Sequence, residues 1–341
     1  MAGGLTTPEL VAAVSRAGGL GVFGATGMTA DTLAAAVRAA CALTDAPVGV
    51  NVLIAPPTEG NPDPDEVQSA LAPFRRELDI PHPPPPPAVT PSPAADLVAA
   101  GLEAGARVVS VGLGDPAPVA GLAQRAGAPL VAMVATVADA RRAVASGADV
   151  VVAQGAEAGG HRSNFTVGPD GQVPMVGTMA LVPQVVRAVS VPVVAGGGIM
   201  DGRGLVAALA LGADGVQLGT AFLSARESSA SRLYRDRMAQ AADTDTLVTA
   251  AVTGRPARML RSDLVEAMMA GPGPLGWPRM GAATADLRAA ADARGRGDMA
   301  VHLAGQASAL TPPEERGAEE IVADILREAE DVIARLAKTA G

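Results

Sequence analysis

The 341-residue chain has one cysteine, Cys41, three histidines, one lysine, Lys338, and an aromatic content of only 2%. A single cysteine excludes an intrachain disulfide framework and a cysteine-rich metal site. Cys41 sits in an apolar helical pattern and reads as a packing residue. With so few rings, Ala, Val and Leu must build the core, and an apolar fraction of 49% supplies enough of them. No apolar run reaches the roughly 18 residues of a membrane span. The net charge is −9 with no basic cluster, which argues against a nucleic-acid or anionic-membrane partner. No two histidines have zinc-ligand spacing, so no metal is expected, and neither a Gly-x-Ser-x-Gly elbow nor a phosphate-loop lysine is present. Met1-Ala-Gly-Gly carries no basic segment leading into an apolar stretch, so a cytoplasmic location is the expectation.

What is present is alternation. Residues 20–23, 48–54, 107–111, 130–134, 149–153, 191–195 and 215–218 are short, nearly continuous apolar runs bounded by Gly or Pro, as strands buried on both faces are. Helical windows lie between them at 29–44, 93–104, 115–126, 136–146, 179–189 and 201–211. Alternating strands and helices mean a parallel α/β sheet with right-handed crossovers, and seven such strands favour a closed barrel. The proline run Pro83–Pro87 reads as a rigid surface connector. Helical, polar windows follow at 224–242 and 263–269, then a Gly/Pro-rich stretch, and an amphipathic helix at 313–338 ends the chain. The expected division is a barrel of residues 1–224 with 311–341, and a small helical cap of residues 225–310.

Four segments match motifs, and three of them carry chemistry. Gly19-Leu-Gly21-Val-Phe-Gly24 matches a dinucleotide fingerprint in spelling, but a helix precedes it and the glycines bracket a strand, so the required context fails. Gly196-Gly-Gly198-Ile-Met-Asp201 follows a strand and opens a helix, and Gln217-Leu218-Gly219-Thr220 forms a second small-residue corner at the next junction. Two such consecutive corners make the common phosphate site of (β/α)₈ barrels. The third segment, Asp149 to Arg162, runs from a buried strand through a glycine loop to His161, where a barrel keeps its chemistry. His161 is the candidate base. The amides of Asn51 and Gln154 end strands, and either pairs with the polar edge of a planar ring or satisfies loop backbone. Arg162 reads as a solvated loop arginine or an anion partner. His82 and His302 have no neighbouring ligand set and are assigned to surface or packing.

Ala-Gln154-Gly-Ala-Glu-Ala-Gly159-Gly-His161-Arg, Gly177-Thr-Met-Ala-Leu-Val-Pro-Gln184, the triple glycine, Gln217-Leu-Gly-Thr220 and Thr253-Gly-Arg-Pro-Ala-Arg258 together resemble the nitronate monooxygenase (2-nitropropane dioxygenase-like) family. The similarity runs nearly end to end. It implies an FMN-dependent TIM barrel that oxidises alkyl nitronates or nitroalkanes with dioxygen to a carbonyl compound and nitrite; the sequence leaves monomer and homodimer both open. It assigns Asn51, Gln154 and Gly159 to the flavin, Gly198 with Gln217, Leu218, Gly219 and Thr220 to FMN mainly through its phosphate, and His161 to catalysis. FMN-dependent reductases of enoyl thioesters or quinones, which use NAD(P)H, share the scaffold, and a vestigial flavin-binding barrel is a further alternative. Gly196 stands where alanine is common, and Ser163 where glycine follows His-Arg. Relatives begin with a strand leading into Met-Ala-Gly-Gly, so a barrel lacking its first strand is expected.

Overall fold

The computed structural model describes residues 4–56, 62–80, 92–168 and 171–339. The elements follow in order: α1 (Pro8–Arg16), β1 (Gly21–Gly24), α2 (Ala30–Leu43), β2 (Val48–Leu53), α3 (Pro64–Glu77), α4 (Ala94–Glu103), β3 (Val108–Gly112), α5 (Ala117–Arg125), β4 (Leu130–Val134), α6 (Val137–Ala145), β5 (Val150–Gln154) and β6 (Gly160–His161). After these come α7 (Thr178–Val186), β7 (Val193–Gly196), α8 (Gly202–Ala210), β8 (Gly215–Gln217), α9 (Thr220–Leu223), α10 (Arg232–Ala239), β9 (Thr246–Thr249), β10 (Ala257–Leu260), α11 (Asp263–Met269), α12 (Arg279–Ala283), α13 (Ala285–Ala293) and α14 (Ala318–Thr339).

Local signals place most of these. Thr7, Thr29, Thr136 and Asp201 each cap a helix by accepting a hydrogen bond from a first-turn backbone N–H, which satisfies a donor the helix cannot. Helices stop where a glycine takes the left-handed conformation, as at Gly147 (φ +96°) after α6 and Gly212 (φ +94°) after α8. Seven strands then form one parallel sheet in the order β1-β2-β3-β4-β5-β7-β8. The curled parallel sheet with alternating helices is the TIM-barrel-like fold the alternation predicts. Its ends, β1 and β8, do not pair with each other among the described residues.

The two faces of the sheet differ. On the outer face Val50, Val109, Val111, Ala132, Val134, Val151, Ala153 and Ala195 are all 0% exposed beneath the helices. On the inner face the register aligns Gly24, Asn51, Ser110, Val131 and Val150 in one row. Asn51, Leu53, Val131, Met133, Val150 and Val194 there are only partly buried, and Gln217 is exposed. The inner face is therefore an open trough, with its upper rim at the C-terminal ends of the strands.

Three features depart from the sequence reading. The window 224–242 is helical only over α10: residues 224–231 form turns and loop, in which Ser228 Oγ accepts from Ala230 N, and Ser231 caps α10 by accepting from Tyr234 N. The cap is not purely helical, because β9 and β10 form an antiparallel pair that extends to β6. The third departure is α3, an unexpected helix whose pattern is interrupted by Pro73. Its Val67 and Leu71 share an apolar core with Leu247, Val252, Met259, Leu264, Met280 and Leu287. Arg75, 1% exposed, fastens it by donating to Asp286 at 2.7 Å and to the Ala283 carbonyl at 2.8 Å. A segment that lies with the barrel in sequence thus packs with the cap. The proline run Pro83–Pro87 and His82 lie outside the described residues.

The closest backbone approach in the first unit is at Gly21, where an added Cβ would sit 2.0 Å from the Val11 carbonyl oxygen. Gly21→Ala should cost about 1–3 kcal/mol of stability by overpacking α1 against β1, measured as a lower denaturation midpoint in urea with an unchanged slope.

Candidate active site

The rim of the trough is dominated by the loop after β5. Its carbonyls leave the sheet ladder in a buried place and need donors. Arginines provide them. Arg162, 1% exposed, donates from both terminal nitrogens to the carbonyls of Gly155 and Gln154, so it is not a solvated loop arginine, and only its Nε is left without a partner. Arg258 donates to Ala156 O at 3.0 Å and Thr246 Oγ1 at 2.9 Å. Arg255 binds the carbonyls of Leu113 and Asn164. Gln154 completes the loop: its Nε2 donates to His161 O at 3.0 Å, and its Oε1 accepts from Ser163 N at 2.8 Å. Of the two readings open for this amide, the geometry takes the loop-backbone one. Asn51 faces the trough and donates to Ser110 Oγ at 2.8 Å.

Held this way, His161 pairs through its backbone with Ala257 of β10. Its Nε2 is buried and has no hydrogen-bond partner. The Trp277 ring meets the imidazole edge-on, with centroids 4.9 Å apart and planes at 72°, a geometry worth about 0.5–1.5 kcal/mol beyond area burial. Burial first, then the positive charges of Arg255 and Arg288, push the imidazole pKa down to about 4. The ring is neutral at physiological pH and able to accept or donate one hydrogen bond at Nε2. Nearby, the Asn164 carboxamide is 2% exposed with both its nitrogen and its oxygen unpartnered, as are Arg255 Nε and Arg288 Nε. Buried polar atoms left open in this way are uncommon and suit a polar ligand.

The glycine corners lie along the same rim. Gly197 and Gly198 have φ of +112° and +73°, and Gly198 and Gly219 are exposed. Thr220 Oγ1 accepts from Gly305 N at 3.0 Å and keeps its own proton to donate. Gly159 is required by packing: a Cβ there would lie 2.5 Å from Gly305 N and 2.6 Å from Ala304 C. Leu218 is partly buried in the apolar core. Gln217 reaches Met133 Sδ at 3.7 Å across the trough. The helix starts differ from the sequence reading. Gly202 N and Gly204 N of α8 already bond the carboxylates of Glu328 and Asp201. Thr178 at the start of α7 bonds Glu157 through its N–H at 2.9 Å and its hydroxyl at 2.7 Å. With the starts of α7 and α8 bonded to carboxylates, the rim presents the Gly197–Ile199 backbone, the Thr220 hydroxyl and the uncapped start of the four-residue α9 at Gly219.

The family model described as Nitronate monooxygenase matches residues 1–328. The chain belongs to the nitronate monooxygenase family. It is 41% identical over 277 residues to a probable nitronate monooxygenase of Staphylococcus saprophyticus, covering 78% of this chain and 75% of that one. It is 35% identical over 340 residues to one from Staphylococcus aureus, covering 97% and 93%. Among solved structures, a nitroalkane oxidase from Streptomyces ansochromogenes matches at 34% identity with a TM-score of 0.86, covering 98% of this chain and 95% of that one. FabK from Thermotoga maritima matches at 32% with a TM-score of 0.77, covering 99% and 94%. Nitronate monooxygenases are flavin-dependent oxidoreductases. The residues present suit a flavin: glycine backbone and a hydroxyl at the two glycine corners, an open trough faced by Asn51, and unpartnered polar atoms around His161.

The sequence reading missed Glu157, Arg255, Arg288, Trp277 and the Ala304–Gln306 segment. Glu157 and Arg255 stood inside the resemblance motifs without a role, and Trp277 stood out as the single tryptophan in a ring-poor chain. Among the described residues there is no group of three or more His, Cys, Asp or Glu able to hold a metal ion, and no helix is long and apolar enough to cross a membrane. Arg162→Met should strand two buried carbonyls at about 1–3 kcal/mol each, read as a lower thermal midpoint and weaker retention of bound flavin on gel filtration.

Proposed function

We propose that this protein oxidises alkyl nitronates and nitroalkanes with dioxygen, releasing nitrite and a carbonyl compound, with FMN as its cofactor. The observation that carries the reading is the neutral, buried and unpartnered Nε2 of His161, set among the cations Arg255 and Arg288 on the rim of a barrel of this family. Gly198, Gly219 and Thr220 would hold the FMN phosphate, and Asn51 would face the ring system from the trough. Gln154 and Gly159 would act by shaping the loop, and Gln217 and Leu218 by forming the second corner. Bound FMN supplies the electron acceptor and the route to dioxygen; the protein supplies position and charge.

His161 has two modes. With a neutral nitroalkane, Nε2 takes the proton from the carbon bearing the nitro group, and the adjacent arginines favour the anion that results. With a preformed nitronate, the imidazole in its Nε2–H form donates to a nitro oxygen and orients the anion. Loss of the ring therefore matters more for the neutral substrate. His161→Asn should lower turnover of a neutral nitroalkane about 10²–10⁴-fold, the range of a positioned acid–base group, with a smaller loss on the nitronate. Equal activity of mutant and parent on the nitroalkane would sink the assignment.

The reading as a whole is tested by the visible spectrum of the purified protein and by nitrite release from a nitronate without nicotinamide. A flavin spectrum with nitrite release supports it. Rapid anaerobic bleaching of the bound flavin by NADH or NADPH, with no nitrite, would move the protein to reduction of enoyl thioesters or quinones. A colourless protein that does not take up FMN would make it a non-catalytic barrel.

A further inference from the structure

We propose that Trp277 is the positioning residue of this site: its indole, packed edge-on against the His161 imidazole, shields Nε2 from water and holds the ring in its neutral, oriented form. The proposal rests on the nitronate reading only in taking His161 as the reacting group. Trp277 comes from the cap, and its placement is over-determined. The Leu275-Gly276-Trp277 segment lies against Gly254, where an added Cβ would be 2.7 Å from both Leu275 O and Trp277 N. Gly254 adopts φ +84° and directly precedes Arg255. One turn therefore sets both the indole that covers the imidazole and an arginine that faces it. The indole meets the imidazole at 4.9 Å and 72°, and Nε2 has no partner.

The charged groups that shift the ring act in one direction, although Asp139 partly balances Arg255 and Asp286 partly balances Arg288. Arg255 before β10 and Arg288 on α13 oppose protonation of the imidazole. Arg258 on β10 is committed to Ala156 O and Thr246, and Arg162 to Gly155 O and Gln154 O. Glu157 is held at Thr178. No carboxylate is among the groups that shift the ring, so the desolvation Trp277 contributes has no opposing charge to cancel it. With water admitted to Nε2, the imidazole gains hydration of its charged form and its proton affinity rises.

The test is an NMR titration of the histidine ring signals in the full chain, with His161 identified by its loss in His161→Asn. In the parent the His161 midpoint is expected near 4. In Trp277→Ala it should rise by at least one pH unit, about a tenfold gain in proton affinity, and in Trp277→Phe by less, because an apolar ring remains. An unchanged midpoint in either folded variant overturns the proposal. Should Trp277→Ala not fold, Trp277→Phe and the parent's fluorescence decide it. As the single tryptophan, Trp277 should show an emission step, quenching as the adjacent imidazole protonates, that coincides with the NMR midpoint and disappears in His161→Asn. Absence of that step overturns the contact. Neither readout uses substrate or flavin, so a protein that releases no nitrite would defeat the nitronate reading and leave this result standing.

Discussion

Arginine-to-carbonyl hydrogen bonding in the loop after β5 is the constraint on which the rest of the site depends. Where a parallel strand ends inside a barrel rim, its last carbonyls have no ladder partner and little access to water. Arg162 and Arg258 each reach one or two of those oxygens, and Arg255 serves Leu113 O after β3 and Asn164 O beyond β6. A guanidinium suits this work because its planar fork serves two acceptors at once and stays charged when buried. The side chain of Gln154 closes the same loop from within, by accepting from Ser163 and donating to His161. Position of the histidine is therefore a consequence of how backbone polarity is satisfied around it.

The same arginines carry an electrostatic consequence. Arg255 works together with Arg288 to disfavour a second positive charge at His161, in addition to burial. The neighbourhood thus favours a neutral imidazole and a bound anion, two properties that a nitronate site needs together. His302 follows a different logic. It is 4% exposed, stacks on Tyr234 at 4.0 Å and bonds Asp292 and Arg237. Burial and then Arg237 push its pKa down to about 4 as well. With both ring nitrogens engaged it is a packing residue, as its lack of a ligand set in sequence implies.

Most of the barrel was legible. Helix caps at Thr29 and Thr136, glycine stops at Gly147 and Gly212, and continuous apolar runs are short-range signals, and the observed elements fall within a few residues of the expected ones. Three things were hidden. Pro73 masked the periodicity of α3, and serine hydroxyls turned the first part of the polar window 224–242 into turns and delayed the helix to α10. The sequence division also gave α3 to the barrel, although its buried side chains complete the core of the cap. In the site, His161 and the glycine corners were visible because a loop after a strand is a local pattern. The partners that define their chemistry were not, since Arg255, Trp277, Arg288 and Gly305 reach the rim from distant parts of the chain.

Sequence by itself determined the alternating parallel architecture, the family and the place of His161 in the loop after β5, because each follows from local periodicity, turn chemistry or contiguous motif. Tertiary structure alone decided that Arg162 serves carbonyls, that Gln154 builds the loop, that the starts of α7 and α8 are occupied by carboxylates, and that an indole covers His161. These are choices among alternative partners for the same donors and acceptors. They are settled only when packing brings one candidate within hydrogen-bonding or van der Waals distance and carries the others away.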